Sequence, residues 1–358
     1  MTGFSDLAQS WPMPSAPRPI TVIGAGGIVR GAHLPAYRRW GLPVAGIFDL
    51  DTARAAAVAA EFALPQVHAT LEAALAGPGV FDIALPPQAL PEVLPRLPEG
   101  SVALIQKPLG RDHAEARRLA GVLAGRRITA AVNFQMRLTP AMLAVEAALA
   151  AGLLGEIVDI EVRVNTRTPW EDWPFLAELP AVEIPLHSIH YLDWIRAVAG
   201  MPARAYARAV RHPAHPRLAD ARSSVVLDYG DRLRCCLSLN HTHLWGPRHE
   251  AATLQIEGTE GAALVGLGYN IHLPAGAPET LEMVRAGGEW QAVPLAGART
   301  PDGFAFVMAN LQRYAAGEDA RLLTGIDDSV ETMRLVSACL AANAAGSAVS
   351  LESGGGER

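Results

Sequence analysis

Cysteine, long apolar runs and surplus positive charge are all scarce in this sequence. Its three cysteines, Cys235, Cys236 and Cys339, are too few for a disulfide framework, which points to a reducing compartment, the cytoplasm. Cys235 and Cys236 are adjacent in a β-like run, so they face opposite sides and read as small apolar residues. No uninterrupted apolar run reaches the about 18 residues that a membrane-spanning helix needs. The first residues show no basic segment followed by an apolar one, so no secretory leader is expected. Lys and Arg number 30 against 36 Asp and Glu, a net charge of −6, and this excludes a dedicated nucleic-acid binder with its basic stripe. Only 18% of residues are charged and 6% aromatic, but 50% are hydrophobic, enough to bury a real core. At about 150 residues per domain, 358 residues suggest two domains.

Residues 1–17 mix proline and serine without periodicity and read as a flexible N-terminal arm. From Ile20 onward, short apolar runs alternate with helical stretches. Ile20–Ile23, Val44–Phe48, Phe81–Leu85, Val102–Ile105 and Ile128–Asn133 read as strands. Ile28–Trp40, Thr52–Phe62 and Asp112–Ala124 read as helices between them. That alternation predicts βαβ units and a parallel, doubly wound sheet, an α/β Rossmann domain over 18–137. Beyond it comes the helix Pro140–Ala151 and then a series of β-like runs from Ile157 to Val284, joined by turns such as Tyr229-Gly230-Asp231. These predict an α+β domain over 138–350 with an open, largely antiparallel sheet, closed by helices near Phe304–Ala316 and Asp327–Ala345. Residues 351–358 read as a tail. An open sheet with an uncovered apolar face is a natural association surface, so a homodimer or homotetramer through the C-terminal sheet is expected.

The turn Gly24-Ala25-Gly26-Gly27-Ile28-Val29 follows a strand and opens a helix. Gly24 permits the tight turn, and Gly26 lets the backbone approach a pyrophosphate over the helix N-terminus. Val29 stands where the third glycine of G-x-G-x-x-G belongs. Asp49 ends the next strand, where its carboxylate can accept from a ribose 2′-hydroxyl and repel a 2′-phosphate. NAD is therefore favoured over NADP, with Arg54 nearby as the one basic counterweight.

With these residues in view, the sequence resembles the Gfo/Idh/MocA oxidoreductases over roughly 18–350. The glycine turn runs into His33-Leu34-Pro35, similar to the family's His-x-Pro helix. Ala84-Leu85-Pro86-Pro87 and Gln106-Lys107-Pro108 are similar to its proline turn and its E-K-P motif. Asn133–Pro140, His190-Tyr191-Leu192-Asp193 and Ile256–Gly261 are similar to later family segments. The resemblance implies a Rossmann domain plus an open-sheet domain, and NAD(P)-linked oxidation or reduction of sugars, polyols or inositols. It also implies catalysis by a Lys and an Asp-x-x-x-His pair, which map to Lys107 and His190. The sequence departs twice. Gln106 replaces the Glu before the lysine, and Leu186 replaces the Asp four residues before His190.

Lys107 follows a buried strand and is aimed by Pro108, at the strand end where open α/β sheets bind ligands. Its charge can stabilise a developing alkoxide. His187, His190 and Asp193 are three apart and share a helix face. An imidazole titrating near neutrality suits general-base work on an alcohol. His187, Glu183 or Asp193 could stand in for the missing Asp. His241 and His243 end a strand on one face. With His187 and His190 they offer four potential metal ligands, but nothing demands zinc and no metal is expected; substrate hydrogen bonding by His241 is preferred. Trp170 and Trp173 could stack on a sugar ring, or simply pack their loop down. Asn133 lies where the domains join, as a substrate contact, and Arg137 there reads as an anion clamp or an ion pair.

The expectation is thus an NAD(P)-dependent oxidoreductase acting on a secondary alcohol of a sugar, polyol or inositol-like substrate. Gly24, Gly26, Gly27, Ile28, Asp49, Pro86, Gln106 and Lys107 would bind the cofactor. Lys107, His190 and His187 would be catalytic. Lys107, Asn133, Trp170, Trp173, His187, His190 and His241 would meet substrate. The alternatives are an enzyme that retains NAD and gives net glycoside hydrolysis or epimerisation, and a non-catalytic NAD(H)-dependent metabolite sensor.

Overall fold

The computed structural model describes residues 3–77, 79–268, 271–272, 276–297 and 299–351. The tail expected from 351 lies outside the described residues after Leu351. The chain forms two compact units, one of residues 10–139 and 300–333, the other of 1–9, 140–299 and 334–358. No helix among the described residues is long and apolar enough to cross a membrane.

The first unit holds five parallel strands, β1 (Ile20–Ile23), β2 (Val44–Phe48), β3 (Val80–Ile83), β4 (Val102–Ile105) and β5 (Thr129–Val132), in the order β2-β1-β3-β4-β5. β1, β3 and β4 are buried along their whole length, as largely apolar strands of a parallel sheet are, with Asp82 of β3 as a buried carboxylate. A parallel bridge from Ile47 to Val67 adds one residue of a sixth strand beyond β2. Counting it gives the order 3-2-1-4-5-6 of the Rossmann fold, with its switch point beside β1. Asp51 caps the helix Thr52–Phe62 by accepting from Arg54 N, and Asp112 caps His113–Gly125 by accepting from Glu115 N.

Residues 300–333, expected in the second domain, complete the parallel-sheet unit instead. Val132 N donates to Thr324 O, and Ala131 bridges to Gly325. Arg137 donates to Leu323 O and pairs with Asp328 at 2.6 Å, so it is an ion-pair residue inside this unit. The expected loose arm is also tied down here. Trp11 Nε1 donates to Asp319, Ser15 Oγ to Glu318, and Arg313 to Met13 O.

The second unit is built on nine strands: β6 (Ile157–Asn165), β7 (Arg204–Val210), β8 (Arg222–Asp228), β9 (Arg234–Asn240), β10 (Ala251–Gly258), β11 (Gly261–Gly266), β12 (Thr280–Arg285), β13 (Gln291–Ala292) and β14 (Val349–Ser350). Their order is β13-β12-β11-β10-β6-β9-β8-β7-β14. The sheet is antiparallel except where β9 runs parallel beside β6. It is therefore not a plain meander, because β6 sits between two strands that come much later in the chain. Helices Pro140–Ala150 and Ile189–Ala199 pack on β11 and β6. The outward face is mixed rather than purely apolar: Arg204, Arg208, Ser224, Arg234, Ser238, Glu161 and Arg163 stand there with the exposed Val158, Tyr206, Val210 and Val226. Arg234 pairs with Asp159 and Glu161.

Candidate functional site

In the parallel-sheet unit the glycine turn closes over the end of β1. Gly24 has φ +110°, and a Cβ there would stand 2.5 Å from Ala84 O, so the tight turn admits only glycine. A Cβ on Gly26 would meet nothing within 4 Å, which leaves its backbone open to a close-lying group. Gly27 is exposed and Ile28 half-buried. The chain then enters its helix through a π-turn, Val29–His33, before the α-helix Leu34–Trp40. Asp49 turns back onto this loop. Its Oδ2 accepts from Ala25 N at 2.7 Å and its Oδ1 from Asp51 N at 2.8 Å. Arg54 stays closer to Asp51, at 3.1 Å, than to Asp49, at 3.8 Å.

Pro86, exposed, follows β3, and Gln106 and Lys107, both half-buried, follow β4. These are the carboxyl ends of two neighbouring strands on one side of the switch point, the edge at which open α/β sheets bind ligands. Gln106 N donates to Ile83 O, which ties the two turns together, and Gln106 Oε1 accepts from Lys107 N. The Lys107–Pro108 peptide is cis. Lys107 is the only lysine in the chain; the other 29 of its 30 basic residues are arginines.

Asn133 lies elsewhere than expected. It is fully buried, and its amide pairs with His33 Nε2 at 3.2 Å. His33 Nδ1 and Tyr37 Oη each lie 2.7 Å from Asp82 Oδ2. Burial, then the charge of Asp82, holds the Tyr37 phenol well above its usual range. This buried network packs the first helix onto β3, and it removes Asn133 from any substrate surface.

In the second unit the loop 166–183 and the turn into helix Ile189–Ala199 gather a histidine cluster. Residues Ile184–Ser188 form a π-turn, a local widening frequent at functional sites. Asp220 anchors its start by accepting from Val182 N and Glu183 N at 3.2 and 2.6 Å. Within the wide turn, Glu183 and His187, four residues apart, come to one side. His187 stacks on His241, ring centres 4.4 Å apart and planes inclined by 26°. Glu183 Oε1 lies 3.5 Å from His241 Nε2. Ser188 Oγ donates to Glu183 Oε2 at 2.7 Å, and Thr168 Oγ1 lies 3.1 Å from His241 Nδ1. Trp170 presents its edge to both rings, at 5.3 and 6.2 Å, and donates from Nε1 to Thr242. It is a buried wall of the cluster rather than an open stacking platform, whereas Trp173 is 37% exposed.

Burial pushes the Glu183 carboxyl up to about 7, against the hydrogen bonds from Ser223 and Ser188, and the charge of Asp220 adds to the rise. Burial pushes His241 down to about 4, so its imidazole is neutral. His190 opens the α-helix and is 9% exposed. Asp193 lies 3.8 Å from Arg196. His243 is not part of the cluster: it pairs with Asn165 and Gly246 O. Leu186 packs against the apolar group of Trp170, Leu176, Val182, Leu218 and Ala221. The acid four residues before a histidine thus reappears three positions upstream, as Glu183 and His187. Sequence reasoning had Glu183 only as a stand-in outside the helix, and it missed Thr168, Ser188 and Asp220. Nothing in their spacing marks them, because they come from separate loops.

Residues 142–264 match the family model of the GFO/IDH/MocA C-terminal domain. No curated protein matches the sequence. Three solved structures are similar in fold. One is an oxidoreductase from Agrobacterium radiobacter in complex with NAD+, L-tartaric acid and magnesium, with TM-score 0.76, 22% identity, and 94% of this chain and 98% of that one covered. Another is a levoglucosan dehydrogenase in complex with NADH and levoglucosan, with TM-score 0.77, 18% identity, and 94% and 100% covered. The third is a UDP-N-acetylglucosamine 3-dehydrogenase from Acidithiobacillus ferrooxidans, with TM-score 0.74, 21% identity, and 92% and 99% covered. The match to a GFO/IDH/MocA C-terminal domain in one unit and the Rossmann-type sheet of the other thus agree with the resemblance of the sequence to the Gfo/Idh/MocA oxidoreductases.

Proposed function

We propose that the protein is an NAD-dependent oxidoreductase that moves a hydride between nicotinamide and a secondary alcohol of a sugar, polyol or inositol-like substrate. The observation that carries this reading is the position of the single lysine. A chain that uses arginine for every other basic side chain keeps lysine at the mouth of β4. Arginine stays protonated and planar, whereas a lysine ammonium is a compact charge with three donors that can also give up a proton. Retaining it there fits a group that must bond a reacting oxygen.

The glycine turn fits a dinucleotide. Gly24 makes the turn, Gly26 leaves open space for a pyrophosphate, and Gly27 and Ile28 lead into the helix N-terminus. Asp49, held by Ala25 N and Asp51 N, keeps lone pairs for ribose hydroxyls, and its charge disfavours a 2′-phosphate. Pro86, Gln106 and Lys107 occupy the strand ends next to this loop. Hydride acceptance is the chemistry that NAD supplies when bound. In the parallel-sheet unit, Lys107 would bond a reacting oxygen and offset its developing charge. In the other unit, His190 is assigned the part of proton acceptor from a substrate hydroxyl. His187, His241 and Trp173 are assigned to the substrate-binding unit. The levoglucosan and UDP-N-acetylglucosamine dehydrogenases of similar fold support a sugar-like substrate.

Lys107→Ala is expected to lower kcat by at least ~10²-fold on any active member of a panel of sugars, polyols and inositols, read as NADH absorbance. Lys107→Arg is expected to restore little. Near wild-type turnover in the alanine variant would remove Lys107 from the chemistry and, with it, the main support for this reading.

A further inference from the structure

We propose that Glu183, His187 and His241 form a binding site for a zinc-class divalent cation, with one coordination position left open for a substrate oxygen. Among the described residues these three form the one group of His, Cys, Asp or Glu whose ligand atoms converge, all lying within 4.8 Å of one another. Two ligand atoms each about 2.1 Å from a tetrahedral ion stand about 3.4 Å apart. His241 Nε2 and Glu183 Oε1 are 3.5 Å apart. Closing the remaining gap to His187 takes rotations of its ring, which already lies over His241.

Two of the three ligand atoms lack other occupation. Glu183 Oε1 and His241 Nε2 are buried with no hydrogen-bond partner, in residues that are 0% and 3% exposed. A buried polar atom left unsatisfied is costly, and two that face each other at this spacing call for something between them. Water or a cation would serve; the geometry of the far sides favours the cation. Thr168 Oγ1 lies 3.1 Å from His241 Nδ1, and in the tautomer whose Nδ1–H donates to it the Nε2 lone pair faces Glu183. Ser188 Oγ holds Glu183 Oε2, which leaves Oε1 aimed at His241. Outer hydrogen bonds of this kind orient metal-binding histidines and carboxylates.

Two histidines and one glutamate, with a fourth position open, is the ligand set of catalytic rather than structural zinc. Of the three residues only His187 is half-buried, so the open position and the approach to it lie on its side. An oxygen of a substrate diol or carboxylate is the fitting fourth ligand. The site stands without the dehydrogenase reading, since metal content is independent of turnover.

The test uses the full chain, stripped with a chelator, re-equilibrated with Zn2+ and gel-filtered before elemental analysis. We expect about one zinc per chain, and tetrahedral visible absorption bands on substitution with Co2+. His241→Gln and Glu183→Gln should weaken binding by at least about tenfold. His187→Asn, at the half-buried position, serves as the variant that keeps its fold if the buried changes do not, as checked by circular dichroism. His243→Gln, outside the cluster, should bind like wild type. Zinc retained equally by the folded cluster variants, or no stoichiometric zinc in the wild-type protein, overturns the proposal.

Discussion

In the proposed reading, Asp49 carries the choice between NAD and NADP. Its carboxylate accepts from two backbone N–H groups of the glycine turn and the following turn, and so it is fixed where a ribose would lie. Arg54, the basic residue that could have tipped the preference to NADP, is drawn towards Asp51. A charge-assisted hydrogen bond contributes on the order of 1.5–3 kcal/mol, about tenfold or more in affinity. Asp49→Ala is therefore expected to weaken NADH binding by about tenfold and to raise the ratio of NADPH to NADH affinity, measured by fluorescence titration. An unchanged ratio would show that Asp49 does not read the ribose. The places of Asp49, Gly24 and Lys107 in the fold were legible in the sequence because each answers to a local rule: a strand end, a positive φ, a residue before proline. Asn133 was misread because its hydrogen-bond partner, His33, is 100 residues away in the chain. Its place where the two predicted domains join suggested a substrate contact, and only the tertiary structure brings His33 against its amide.

At the scale of elements, the strands were legible because apolar runs and glycine turns bound them, and β1, β2 and β4 have the expected limits. The sixth strand of the parallel sheet was not, because a single bridge at Val67 has no pattern to read. The two π-turns were also hidden, since the residues of Ile184–Ser188 suit an ordinary helix equally well. That turn decides the fate of the absent family aspartate. Leu186 occupies its place and packs against Trp170, Leu176 and Val182. A carboxylate there would enter an apolar cluster. Leu186→Asp is therefore expected to lower stability by on the order of 1–3 kcal/mol, read as an earlier urea midpoint, with no gain in turnover. Faster turnover in that variant would mean that the residue, not the turn around it, governs proton transfer.

Across the whole molecule, the chain does not divide where its composition changes. The shift near residue 137 is real in pattern, yet residues 300–333 return to the parallel-sheet unit. Periodicity describes local structure and carries no information on which earlier strand a late helix will cover. The consequence is a unit that its contiguous portion cannot complete. Without 300–333, Val132 N loses Thr324 O, and Arg137 loses both Asp328 and Leu323 O. Trp11 and Ser15 lose Asp319 and Glu318, and His33 loses the Phe304 ring 5.0 Å away. Each orphaned buried group costs about 1–3 kcal/mol, against the ~5–15 kcal/mol that holds a typical domain together. A fragment of residues 10–139 is therefore expected to show no cooperative urea transition by circular dichroism. Thr139 lies against Gly303, so a short Gly-Ser linker can join 139 to 300. The joined fragment, 10–139 followed by 300–333, should unfold cooperatively. If the shorter fragment does so unaided, residues 300–333 are a covering and not a part of that core.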